Sequence, residues 1–278
     1  MALHDPRVTP ARPDLAALRL KGQVAAERYV AGELLRVSVP AATLWSGPEA
    51  RRAGSQLLFG ETFELFERSG GLAWGQAPRD SYVGYVEEAA LGPLREERTH
   101  RVAVPLSHIY PAPDAKEPPV LQLPFGAELS VRGEADRFLA VARGFVPVAH
   151  LRELGRFEPE PVAVAERFRG APYLWGGRTM LGIDCSGLVQ LALAAAGIPC
   201  PRDTDMQAAE VGQPLAEGAR LRRGDLVFWQ GHVGLMQDEE RLIHANAFHM
   251  GVASEPLAQA AARIARTGGG PVTARRRL

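Results

Sequence analysis

An α+β chain is predicted, with two small β-barrels ahead of a domain that combines helices and a sheet. A Phe-Gly scheme occurs twice, in "LLFGETFEL" and "LPFGAELSV", each followed by a closing strand pattern, "YVGYVEEAAL" and "GFVPVAHL". After "RFEPEP" the pattern changes from short alternating runs to helical periodicity, and then to strands again. With 278 residues, 46% of them hydrophobic, the chain has the apolar content for two or three packed domains.

Residues 1–35 mix Pro and Arg with a short helical pattern in "PDLAALRLKGQVAAERYV" and read as a packing arm without chemistry. Residues 36–95 hold strand candidates "LLRVSVP", "SQLLFGETFELFER", "LAWGQAP" and "SYVGYVEEAAL", separated by turn residues, which is the spacing of a small barrel. Residues 96–155 repeat the scheme as a second barrel. In the third domain, residues 156–278, Pro161 suits a first helical position and Gly170 a helix end. A second helix is predicted from about Asp184, with Leu188, Leu191, Ala192 and Ala195 on one buried face and Gly197 and Pro199 as stops. "GDLVFWQGHVGLMQDEERLIHANAFHMGVASEPL" then reads as strands with polar turns. Helices first and sheet after is the α+β order.

Lys plus Arg and Asp plus Glu both total 32, so no chain-wide charge draws this protein to nucleic acid or anionic lipid. No run approaches the roughly 18 apolar residues of a membrane span, and the start lacks the regions of a secretory signal. A soluble, cytoplasmic protein is expected, with no nucleic-acid or membrane partner. In that compartment the two cysteines, Cys185 and Cys200, remain free thiols.

The chemistry centres on "GIDCSGLVQ". Capping by Asp184 places Cys185 in the first turn of a helix, where unpaired N–H groups and the helix dipole favour an anion and lower a thiol pKa. A lone cysteine is otherwise a small buried hydrophobe. A thiolate nucleophile needs a base held by a third group. In "GHVGLMQDEERLIHANA", a hairpin with a three-residue loop at 237–239 would pair positions summing to 476, setting His232 directly opposite His244 on one sheet face.

"PYLWGG", "GIDCSGLVQ", "RRGDLVFW", "GHVGL" and "LIHANA", in this order, closely resemble the NlpC-type papain-like cysteine peptidases of bacteria, which hydrolyse cell-wall peptides. The resemblance covers about 155–272 and implies a circularly permuted papain-like fold. Cys185 would then be the nucleophile, His232 the general base, His244 the residue that orients it, and Tyr173 an oxyanion donor. Packing beside Trp175 is the other reading of Tyr173; Trp175, Gly176 and Gly177 read as architectural. The barrels resemble bacterial SH3-like domains. The whole organisation is similar to the YkfC-like γ-D-glutamyl-L-diamino-acid endopeptidases of wall-peptide recycling.

That group cleaves L-Ala-γ-D-Glu-L-diamino acid peptides with a free N-terminal L-Ala. By this resemblance Asp184 and Tyr82 would bind the substrate ammonium, and Ser186 and Thr204 would contact the D-Glu carboxylate. Asp184 is also a plain helix cap, Tyr82 a plain core residue, and Arg202 with Asp203 a local loop pair. The acidic residue that the group brings from its first barrel has no clear counterpart, since Arg51 and Arg52 stand there with Glu49 and Glu61 nearby. Two other classes fit parts of the pattern: a zinc hydrolase on the Cys/His/His set, and a non-catalytic peptidoglycan-binding protein. The peptidase reading requires no metal or cofactor; its partner is the murein peptide.

Overall fold

The computed structural model describes residues 4–278, which divide into two compact units, Met1–Leu154 and Gly155–Leu278. In the first unit, period-two alternation builds a seven-stranded antiparallel sheet in the order Ala53–Leu58, Ala41–Trp45, Tyr82–Glu87, Leu72–Ala77, Thr62–Ser69, Glu33–Val37, Leu91–Pro93. Ala42 and Leu44 point inward from one strand, Tyr82 and Val86 from another, and they meet Leu57, Phe63 and Leu65 in one core.

A second core, formed by Val102, Ile109, Leu123, Leu129, Val141 and Val146, fills three short sheets over His100–Glu153. The repeated sequence scheme is visible in the backbone. Gly60 and Gly126 follow their phenylalanines at φ 85° and 82°, and single 3-10 turns lie at Glu88–Ala90 and Val148–His150. A Cβ at Gly60 would fall 2.1 Å from the carbonyl oxygen of Glu128, so the two barrels meet too closely there for any side chain.

The N-terminal segment is not helical beyond the 3-10 turn Leu18–Leu20. It forms a parallel pair, Leu15–Ala17 with Arg28–Val30, and its Leu15 and Ala17 cover Phe66 and Trp74. Its apolar residues are used in extended backbone, each fully buried from Leu15 to Ala17, which a surface helix could not achieve. The strand Glu33–Val37 already belongs to the first barrel sheet, so the arm ends before residue 33.

In the second unit, α1 (Pro161–Glu166) starts at the Glu160 carboxylate, which accepts from the amides of Val162 and Ala163 at 2.8 and 2.9 Å. Helix α2 (Cys185–Ala195) is buried all round apart from Ala194, because α1 and the sheet both pack on it. The predicted single apolar face understates this. A shorter helix, α3, spans Thr204–Glu210. The sheet is antiparallel, in the order Gln213–Pro214, Ala274–Arg277, Leu226–Trp229, His232–Met236, Arg241–Asn246, Gly251–Pro256. Helix α4 (Leu257–Arg266) interrupts the predicted order of helices then sheet, and the last strand, "ARRR", is too polar to announce itself.

Candidate active site

Asp184, in extended conformation at φ −100° and ψ 177°, caps α2: its Oδ1 accepts from the Gly187 amide at 2.7 Å. Cys185 is therefore the first helical residue, and it is 6% exposed. The amides of Val233 and Ser186 both favour its anion. Burial, aided by the negative charge of Asp184, is stronger and pushes the thiol up to about 12. This corrects the expectation of a depressed thiol pKa: the helix terminus acts as foreseen, but desolvation outweighs it. Cys200 lies in a half-buried loop with its Sγ 3.5 Å from the Pro201 oxygen, and both thiols are free.

The hairpin register differs from the expected one. Leu235 pairs with Ile243 and Met236 with Leu242, a sum of 478, because Asp238 accepts from the amides of Glu240 and Arg241 and holds a turn that the Gln237 amide closes on the Arg241 carbonyl at 2.8 Å. Continued inward, this register sets His244 opposite Gly234, where a Cβ would lie 3.6 Å from that of His244. A shift of two preserves facing, so the histidines become diagonal neighbours. His232 Nε2 and His244 Nδ1 are 2.8 Å apart, with the rings at 63°.

The contact continues past His244. Its Nε2 is 2.7 Å from Oε1 of Glu255, and Arg263 of α4 donates to both Glu255 oxygens at 2.5 Å. Burial would raise the Glu255 pKa, but the hydrogen bonds from Arg263 and His244 hold it at about 2. Burial lowers both imidazoles, His232 to about 3 with His244 adding to the effect. No local pattern in the sequence marks Glu255 and Arg263 as partners of His244. The sequence offers only a lone acid in "GVASEP" and an arginine three positions from the buried Ala260 of an amphipathic helix.

Arg202 pairs with Asp184. It is 1% exposed, and it donates to Oδ1 at 3.0 Å, to Oδ2 at 2.6 Å and to Ser186 Oγ at 2.7 Å. Asp184 Oδ2 also accepts from the Gly176 amide at 2.8 Å. Asp184 and Ser186 are thus engaged inside the chain, where their polar atoms are satisfied and Arg202 balances the charge. Both side chains hold the start of α2. Gln207 of α3 braces the same turn, donating to the carbonyls of Ser186 and Pro201 at 3.0 and 2.9 Å.

Thr204 begins α3, half-buried. Tyr173 is half-buried, and its hydroxyl is held protonated by burial and by its proximity to Cys185 and Asp184. Gly177 is architectural as expected, since a Cβ there would fall 2.4 Å from the Gly182 oxygen. Trp175 is not core; it is 56% exposed. In the first unit, Tyr82 packs into the barrel core with its ring against Gly54. Glu61 is likewise buried, accepting from the Leu58 amide and paired with Arg79.

Among the described residues, His244, His249 and Glu255 form a group with metal-ligating atoms within 4.8 Å of one another. It includes neither Cys185 nor His232, so the Cys/His/His zinc set does not assemble there. Arg263 already places a cation on Glu255, which opposes a second one.

Comparison with known proteins agrees with this geometry. Residues 170–265 match the NlpC/P60 family, and residues 44–91 match the bacterial dipeptidyl-peptidase SH3 domain. The chain is 28% identical over 220 residues to gamma-D-glutamyl-L-lysine dipeptidyl-peptidase of Bacillus subtilis (strain 168), covering 69% of this chain and 71% of that one. It is 36% identical over 99 residues to dipeptidyl-peptidase 6 of Lysinibacillus sphaericus, of whose length it covers 35%. In fold, it matches the crystal structure of an NlpC/P60 family protein from Bacillus cereus ATCC 10987 with a TM-score of 0.72 at 20% identity, over 88% of this chain and 99% of that one. The chain therefore carries a papain-like domain of the NlpC/P60 family of cysteine peptidases, with a bacterial dipeptidyl-peptidase SH3 domain preceding it.

Proposed function

We propose that the protein is a cysteine peptidase that hydrolyses the γ-D-Glu–L-diamino acid bond of murein peptides carrying a free N-terminal L-Ala, in the cytoplasmic recycling of cell-wall peptides. The observation that carries the reading is a thiol at the first turn of α2, touched by the amide next in chain to His232, whose imidazole is held in turn by His244.

Cys185 Sγ attacks the scissile carbonyl as its proton passes to His232. Because burial keeps the thiol and the imidazole neutral, the transfer accompanies attack instead of preceding it. The tetrahedral oxygen is stabilised by the Cys185 N–H, in the turn whose amides lack helical acceptors, and by the protonated Tyr173 hydroxyl. His232 returns the proton to the departing amine, and water, deprotonated by His232, hydrolyses the thioester. Relatives named as dipeptidyl-peptidases support an exopeptidase-like count of two residues from a free amino terminus. By the resemblance, Tyr82, Asp184, Ser186 and Thr204 remain the proposed substrate contacts, and Asp184 and Ser186 also hold the start of α2.

Mass spectrometry of products from the free tripeptide, its N-acetylated form and intact wall polymer tests the reading. The expected result is L-Ala-γ-D-Glu released from the free tripeptide, slow or absent cleavage of the other two, survival in EDTA and loss in Cys185→Ala. Turnover in Cys185→Ala would refute the nucleophile, equal rates on the acetylated peptide would refute amine selection, and binding without turnover would favour a binding protein.

A further inference from the structure

A histidine acts as a base only through the nitrogen that lacks a hydrogen, so the proton order along the chain of contacts decides which nitrogen of His232 is available. The order starts at Glu255. An ionised carboxylate is acceptor-only, and two guanidinium hydrogen bonds keep Glu255 in that form. The His244 Nε2 at 2.7 Å from it must then be the donor. A neutral His244 with hydrogen on Nε2 has a bare Nδ1, and the His232 Nε2 at 2.8 Å from that atom must donate to it. His232 is thereby left with its lone pair on Nδ1.

The elements supply the constraint. Glu255 pairs with Leu242 and His244 with Ala253, so Glu255 and His244 are diagonal neighbours on one sheet face. Helix α4 packs on that face through Ala260 against Leu242 and Met236, which brings Arg263 to the carboxylate. The same guanidinium lies 4.3 Å from the ring centre of Phe248.

We infer that Glu255, clamped by Arg263, is a positioning residue that sets the tautomers of His244 and His232 and so makes Nδ1 of His232 the base nitrogen. This rests on the peptidase reading only in giving His232 the role of base.

The test uses the full chain with 15N-labelled histidine and long-range 1H–15N correlation of the ring nitrogens, with peptide turnover measured in parallel. Both His232 and His244 are expected as Nε2–H tautomers in the unmodified chain. In Glu255→Gln the amide oxygen stays with Arg263 and the NH2 turns toward His244 Nε2. The order reverses, His232 carries its hydrogen on Nδ1, and kcat falls about 100-fold or more, as when a triad carboxylate becomes an amide. A purely structural Glu255 would leave both tautomers unchanged. An Nδ1–H tautomer on His232 in the unmodified chain, or Glu255→Gln with unaltered tautomers and turnover, overturns the inference. The spectrum of the unmodified chain requires neither a variant nor activity, so an inactive protein would refute the peptidase reading separately.

Discussion

Replacing Arg202 by Met tests the charge pair beneath the nucleophile. Asp184 is held by five donors: Gly187 N at 2.7 Å, Gly176 N at 2.8 Å, Ser186 Oγ at 3.3 Å, and two Arg202 nitrogens at 3.0 and 2.6 Å. Methionine preserves much of the volume but removes two of the five and the guanidinium counter-ion of a carboxylate that is 6% exposed. Breaking a buried pair in this way costs about 3–5 kcal/mol, against about 0–1 kcal/mol for the exposed loop pair that the sequence suggests. The two readings differ by more than the error of a denaturation curve. Both cysteines lie in the second unit, so urea unfolding followed by pulsed thiol labelling in a Cys200→Ser background reads that unit alone. A loss of about 3–5 kcal/mol is expected, with a Tm lower by about 10 °C. Arg202→Lys should fall between, because an ammonium cannot span both carboxylate oxygens and Ser186. A loss below about 1 kcal/mol for Arg202→Met would refute the sealed pair.

Further outcomes follow from the neutral thiol and imidazole. Iodoacetamide alkylation of Cys185 in the free protein should be slow at neutral pH and rise steadily with alkalinity, since the thiol is pushed up to about 12; a plateau reached below pH 7 would mean a resting thiolate. The folded-state pKa of His232 lies below its ordinary 6.5, at about 3, so the unfolded chain takes up the proton first: the stabilisation is present above pH 6.5 and is lost as pH falls toward 3. His232→Asn should flatten that part of the stability profile, and an unchanged slope would contradict the assignment. Tyr173→Phe should lower kcat about 100-fold with little change in KM if its hydroxyl meets the oxyanion, whereas full activity would return Tyr173 to a packing role.

The parts written as local periodicity were legible in sequence. Pro161 opens α1, Asp184 caps α2, the Phe59-Gly60 and Phe125-Gly126 turns recur in the two barrels, and alternation keeps His232 and His244 on one face even though the register was two residues off. The register differs because the placement of the turn depends on an Asp238 side chain bonding two amides, a choice among turns that strand alternation does not specify. The helix-start effect on Cys185 is legible in its cap, but its magnitude relative to burial is not.

By itself, then, the sequence determined the order of elements, the caps and which side chains share a face, because those follow from neighbours a few residues apart. Only the tertiary structure decided that Arg202 neutralises Asp184 across 18 positions, that Glu255 and Arg263 stand behind His244, and that desolvation exceeds the helix field at Cys185. Ion pairing and solvent exclusion depend on distances closed by packing, and no local pattern records those distances.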